Sequence, residues 1–184
     1  MNNKIFLLTG YCGCGKTTAA LLMKKLLKSH TAHLAIFDDP VIKDASEKYR
    51  FPLELARTHA GKQSICHTSK SSKKINELID IHRAELKRVY GEDILARKII
   101  DTVYSYPSSD TWIVHDWRSL EDASGLKSAL DPAILITVRI VRYGVAEDTA
   151  DVGFKTSHTI VNDGSIQELE IQLAAMMRQY YGVL

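Results

Sequence analysis

Along this chain, short apolar runs alternate with longer stretches in which apolar residues recur every three or four positions. KIFLLT (4–9) is apolar on consecutive positions, as in a central strand covered on both faces. Residues 16–29 set Ala19, Ala20, Leu22, Met23, Leu26 and Leu27 on one helical face, with lysines opposite. HLAIF (33–37) reads as a second strand, stopped by Asp38-Asp39-Pro40. A helical stretch over 41–49 follows, and Pro52 starts a short helix. From Ser72 to Tyr90 a strongly amphipathic helix is predicted, with Ile75, Leu78, Ile79, His82, Leu86 and Val89 at helical spacing and Gly91 as its stop. His82 falls on that stripe and is expected in the core. A further helix over 92–105 precedes Pro107. TWIVHD (111–116) is the third strand, and 118–130 is a helix stopped by Asp131-Pro132. AILITVRIV (133–141) is the fourth strand and HTIVND (158–163) the fifth. A helix opened by Gly164 and Ser165 ends near Tyr181. Five strands with helices between them favour an α/β protein with a parallel sheet and helices on both faces.

Bulk properties narrow this picture. A chain of 184 residues suits one domain, 1–184, around one well-buried core. The formal net charge of +2 announces no polyanion-binding surface, although a local basic patch is compatible with it. No run approaches the roughly 18 to 20 apolar residues of a membrane span, so no membrane partner is expected. The apolar N-terminal run leads straight into a glycine stretch and reads as a strand, not a signal peptide. Cys12, Cys14 and Cys66 are odd in number and too few for a disulfide framework, which fits a reducing, cytoplasmic setting. KQSICHTSKSSKK (62–74) is polar and basic and is expected to be a mobile segment. His59, His67, His82, His115 and His158 show no metal-ligand spacing.

The chemistry concentrates at GYCGCGKTT (10–18), which matches G-x-x-x-x-G-K-[ST] between an apolar strand and an Ala/Leu-rich helix. Glycines let successive N–H groups curl toward an anion, and the helix N-terminus adds positive potential at the same point. Gly10, Cys12, Gly13, Cys14, Gly15, Lys16, Thr17 and Thr18 are therefore the candidate nucleotide-binding residues. Lys16 reaches the β- and γ-phosphates of ATP in this reading, and the Thr17 hydroxyl ligates Mg²⁺. A zinc site lacks its second cysteine pair, and the C-x-C spacing is not the C-x-x-C of thioredoxin-like chemistry. Cys12 and Cys14 then sit at variable positions and their thiols are incidental. No N-K-x-D guanine signature is present, and strand three ends HDWR with no acidic neighbour to Asp116. The short chain and Gly13 inside the loop both lean toward a small-molecule kinase.

Further phrases follow in order: IFDDPVIKDASEKYRFPLE (36–54), GEDILARKI (91–99), IVHDWRSLEDASGLK (113–127) and SHTIVNDGSIQELEIQL (157–173). Over nearly the whole chain, these and the glycine loop resemble the deoxynucleoside monophosphate kinase group known from phages, within the nucleoside monophosphate kinase-like families. Asp116, Arg118 and Glu121 stand in the region of that group's D-x-R-x-x-x-E motif, with Glu121 one residue short of the usual spacing. The resemblance implies a three-layer P-loop NTPase fold, a five-stranded parallel sheet in 2-3-1-4-5 order, transfer of the ATP γ-phosphoryl, and a mobile lid after strand four. Two positions differ from the group: SKSSKKINEL stands where it has an Arg-containing phrase, and Leu95 replaces a tryptophan. Both lie where the acceptor would be held.

Roles can then be assigned. Residues 40–107 form a helical acceptor-binding insertion and 142–157 the lid loop. Asp38 and Asp39, at the carboxyl end of strand two, could orient the acceptor or cap the following helix. Asp116 could hold the Mg²⁺ shell or start a helix. Arg118 could neutralise a phosphate or pair with Glu121. Arg139 and Arg142 flank the lid and could support the transition state, with a solvated strand edge as the alternative for Arg139. The catalytic set is Lys16, Asp38, Asp116, Arg139 and Arg142. Asp39, Lys43, Arg83, Arg88 and Arg118 form the acceptor set, and Thr17 and Asp116 hold the metal. Lys62, Lys70, Lys73, Lys74, Arg83 and Arg88 could bind an acceptor phosphate or nucleic-acid backbone, or line a solvated face. The expected acceptor is a nucleotide, first a deoxynucleoside monophosphate. The alternatives are a hydroxyl on a modified pyrimidine within DNA, or nucleotide binding without transfer. Oligomeric state stays open, a homodimer included.

Overall fold

The computed structural model describes residues 4–11, 13–28, 30–67, 72–107, 110–115, 120–130, 134–145 and 155–182. Strand β1 (Lys4–Thr9) leads through the glycine loop into helix α1 (Lys16–Leu26), followed by β2 (Ala32–Ile36) and α2 (Asp39–Tyr49). Two single-turn helices, α3 (Leu53–Ala56) and α4 (His59–Lys62), precede an antiparallel hairpin of β3 (Ile65–His67) and β4 (Ser72–Lys74). Helices α5 (Ile75–Tyr90) and α6 (Ile94–Tyr104) come next, then β5 (Thr111–His115), α7 (Leu120–Ala129), β6 (Leu135–Val141), β7 (His158–Val161) and α8 (Ile166–Tyr181).

Five strands make one parallel sheet in the order β2-β5-β1-β6-β7, which is 2-3-1-4-5 among that sheet's own strands. The numbering along the whole chain differs because the hairpin, not expected from sequence, intervenes. The sheet separates two cores. Ile5, Leu7, Trp112, Val114 and Leu135 pack with residues of α2, α5, α6 and α7. Phe6, Leu8, Ile113, Ile136, Val138 and Ile140 pack with α1 and α8. Side chains alternate across a strand, so a run that is apolar at every position can only lie between two such layers, and β1 does.

Two expectations are corrected in the segment before β5. The segment 62–74, expected to be mobile, carries a hairpin not expected from sequence: Ile65–His67 pairs with Ser72–Lys74, and residues 68–71 lie outside the described set. The amphipathic helix accordingly starts at Ile75 rather than Ser72. It buries Ile75, Leu78, Ile79, His82 and Leu86, but Val89 is 59% exposed because the last turn runs past the core.

Candidate functional site

All five strands of the sheet run the same way, so their carboxyl ends share one edge. That edge is where ligands of open α/β sheets collect. The turns leaving it carry Gly10 after β1, Asp38 after β2, Arg142 after β6 and Asn162 after β7. Asp38 leaves two strands from Gly10, a lateral separation of roughly 10 Å.

The described glycines of the loop adopt the positive-φ backbone its motif demands. Gly10 has φ +135°, and a Cβ there would meet the Ile140 carbonyl oxygen at 2.2 Å. Gly15, at φ +99°, is the N-cap of α1, and no side chain caps that helix. Its N-terminus is thereby left to an anion. Lys16 Nζ donates to the carbonyls of Gly10 (2.8 Å) and Tyr11 (3.0 Å), folding its charge over the loop. Thr17 and Thr18 are exposed on the first turn of α1. One exposed hydroxyl fits a Mg²⁺ ion whose remaining ligands are phosphate oxygens and water. Among the described residues no cluster of three His, Cys, Asp or Glu could hold a metal by itself. Cys14 is fully buried in the core beside α1 and α8, beneath Gly10, so its side chain is a packing element and not incidental.

A residue the sequence reading passed over completes this loop. Asn162 Nδ2 donates to the Cys14 carbonyl (2.8 Å), and the same nitrogen would lie 2.3 Å from a Cβ on Gly15. The turn carrying it also fastens the root of the expected lid: Asn162 N donates to Val141 O (2.7 Å) and Tyr143 N to Asp163 Oδ1 (2.7 Å). Beyond it, Ser165 and Glu168 form a capping box on α8. The Ser165 amide and hydroxyl, donating to the Glu168 carboxylate, hold its pKa below the ordinary value. The only prior signal for Asn162 was its place within the 157–173 phrase.

On the other side of the loop, Asp38 is 3% exposed and its Oδ2 accepts from Arg83 Nη2 at 2.7 Å. Arg83 Nη1 also bonds the exposed Asp80. Burial alone would lower the pKa of Arg83, but the charges of Asp38 and Asp80, with their hydrogen bonds, raise it above the usual value. Asp39, the first residue of α2, pairs with Arg57 Nη2 (3.0 Å) and Lys43 Nζ (3.0 Å). Asp38 holds the N-cap position of α2 without a capping hydrogen bond from its side chain, so the capping alternative falls away. Arg88 is not brought to this group. It is exposed, and five residues beyond Arg83 turns it about 140° round α5.

Arg139 is half-buried and lies opposite Thr9 on β1 and Thr159 on β7. Its strand is internal to the sheet, which removes the solvated-edge alternative. Ile136, Val138 and Ile140 face α1 and α8, so Arg139 is on the opposite face, the face covered by α2, α5, α6 and α7. Arg142 is exposed just past the end of β6. Cys12, Asp116 and Arg118 lie outside the described residues, as do 146–154 of the expected lid.

Neither a family model nor a curated protein sequence matches the chain. The fold is shared with solved structures at low identity. The APS kinase CysC of Mycobacterium tuberculosis superposes with a TM-score of 0.53 at 15% identity, over 96% of this chain and 98% of that one. TT1252 of Thermus thermophilus gives 0.55 at 15% identity, over 98% and 99%. The chain thus has an α/β fold of the kind found in P-loop kinases, and no helix among its described residues is long and apolar enough to cross a membrane.

Proposed function

We propose that this protein is a phosphotransferase that moves the γ-phosphoryl of ATP to a nucleotide-like acceptor, a deoxynucleoside monophosphate first. The observation that carries the reading is a complete glycine loop opening on the same sheet edge as a buried, charge-paired carboxylate, Asp38. A P-loop kinase with the same fold supports it. Phosphoryl transfer asks little covalent chemistry of a protein and much positioning and charge stabilisation. Lys16 leaves its two carbonyl partners for the donor phosphates, while the amides at the start of α1 hold the same charge. Thr17, with Asp116, would hold Mg²⁺, which supplies neutralisation of the bridging phosphate oxygens. Asp38 orients the acceptor through its pair with Arg83, and would take a proton only from a hydroxyl acceptor. Arg139, on the acceptor face of β6, and Arg142, at the root of the lid, neutralise charge on the transferring group.

One observation favours a second acceptor, a hydroxyl on a pyrimidine within DNA. Between Glu54 and Glu77 the chain has five Lys or Arg and no Asp or Glu, and this segment includes the exposed hairpin. Such a stretch is suited to a sugar–phosphate backbone. Incubation with γ-labelled ATP and Mg²⁺ against the four deoxynucleoside monophosphates and single- and double-stranded DNA tests both. Label in mononucleotides supports the first reading, and label only in polymer replaces it with the second. ATP binding by calorimetry with no product from any acceptor would reduce the protein to a nucleotide-binding regulator.

A further inference from the structure

We infer that Asp80 occupies, on Arg83, the place that an acceptor's anionic group takes. The acceptor site then carries an internal stand-in for its ligand, and that ligand is a phosphomonoester. The inference rests on the reading that the acceptor binds beside Asp38 and Arg83 at the carboxyl end of β2.

The guanidinium of Arg83 is shared between two carboxylates of unlike standing. Asp38 comes from the end of β2, 45 residues away in sequence, and its side chain is 5% exposed. Asp80 lies one turn before Arg83 on the same helix, and its side chain is 56% exposed. The first partnership is set by the tertiary fold and shielded from water; breaking it would strand a buried charge. The second is a local pair on a solvated helix face, worth little and readily exchanged. Arg83 itself is 16% exposed and its Nε is buried with no hydrogen-bond partner among the described residues. The group therefore has a fixed partner inside, a replaceable one outside and a donor unspent.

Charge explains the choice of ligand. Asp38, Arg83 and Asp80 together carry one net negative charge, while Asp39, Arg57 and Lys43, on the adjoining first turn of α2 and after α3, carry one net positive charge. An anion that reaches the Arg83 fork competes with the carboxylates already on it, and Asp80 is the one that water can take back. A guanidinium offers several N–H donors in one plane, which suits a phosphate's multiple oxygens better than a neutral hydroxyl. A bare nucleoside has nothing to exchange with Asp80.

The inference makes an unusual demand: removing a carboxylate next to the site should improve binding. With the full-length protein, ATP, Mg²⁺ and each of the four deoxynucleoside 5′-monophosphates as probes, Asp80→Asn should lower the KM for the preferred acceptor about three- to fivefold, the worth of an exposed ion pair. The KM for ATP should not move. Arg83→Lys, which loses the planar fork, should raise the acceptor KM tenfold or more. Glu77→Gln removes the same charge one turn earlier from an exposed position and should change nothing. Should Asp80→Asn fail to fold, Asp80→Ser asks the same question.

If Asp80 instead braces Arg83 for its task, its removal raises the acceptor KM, and the inference is overturned. It is overturned equally if Asp80→Asn has no effect, if Glu77→Gln gives the same gain, or if deoxynucleosides without a phosphate gain as much. In each of these cases transfer to the acceptor still occurs and the proposed function stands. A wild-type protein that binds and phosphorylates none of the probes removes the acceptor reading, and this inference with it.

Discussion

The two sides of the sheet edge hold their cations in opposite ways. Lys16 is folded back on neutral carbonyls five and six residues away, within its own loop. Arg83 is held by full negative charges, one of them brought from another strand. A phosphate meeting Lys16 displaces dipoles; an anion meeting Arg83 displaces carboxylates. The first site is built to accept any suitably placed phosphate. The second is built to discriminate, because its cation already carries two carboxylate partners and a ligand must exchange with one of them.

That contrast has consequences of different size. On the donor side, Lys16→Ala removes the charge that nothing else in the loop replaces, and transfer measured with labelled ATP should fall about a thousandfold. Activity within a few fold of wild type would remove the loop from the reaction. On the acceptor side, Asp38→Asn should lower kcat about a hundredfold while the Kd for ATP stays constant, as befits a group that orients the acceptor two strands from the loop. It should also destabilise the protein, because Arg83 loses its buried counter-charge. A variant with altered ATP affinity and normal kcat would place Asp38 on the donor side instead.

A smaller effect concerns the link between the glycine loop and the last turn. Asn162→Ala withdraws the amide that bonds Cys14 O, and the KM for ATP should rise about five- to tenfold, the worth of one partly buried hydrogen bond. The acceptor KM should be unaffected, which separates a donor-loop clasp from a general loss of structure. Smallest is a difference in thiol reactivity. Cys14 is fully buried whereas Cys66 is half-buried on the hairpin. Alkylation of the native protein followed by peptide mapping should leave Cys14 unmodified until denaturant is added, and rapid native labelling of Cys14 would mean that the loop opens far more readily than its packing indicates.

The donor half was readable because its signals are contiguous. A strand, a loop and a helix in immediate succession carry their own spacing, and no distant residue is needed to recognise Gly10, Gly15, Lys16 and Thr17. The sheet was readable for a similar reason: runs such as Phe6–Leu8 and Leu135–Val138 can be buried only between two layers. The hairpin was missed because Ser72–Lys74 is short, polar and half exposed, with none of the apolar alternation that marks a strand facing a core. Val89 was expected on the buried stripe because periodicity records the face of a helix and not where the core beneath it ends.

Local chemistry along the chain was enough for the alternation of elements, the layers they form and the loop that takes an anion, since each depends on neighbours a few positions apart. Which carboxylate meets which cation depended on the fold alone. Asp38 finds Arg83 across 45 residues and Asn162 finds Cys14 across 148, and nothing in the residues between records either meeting. Charged and amide side chains bond whatever the packing of apolar faces sets before them. The apolar pattern builds the sheet edge, and the edge then selects the partners that give the site its chemistry.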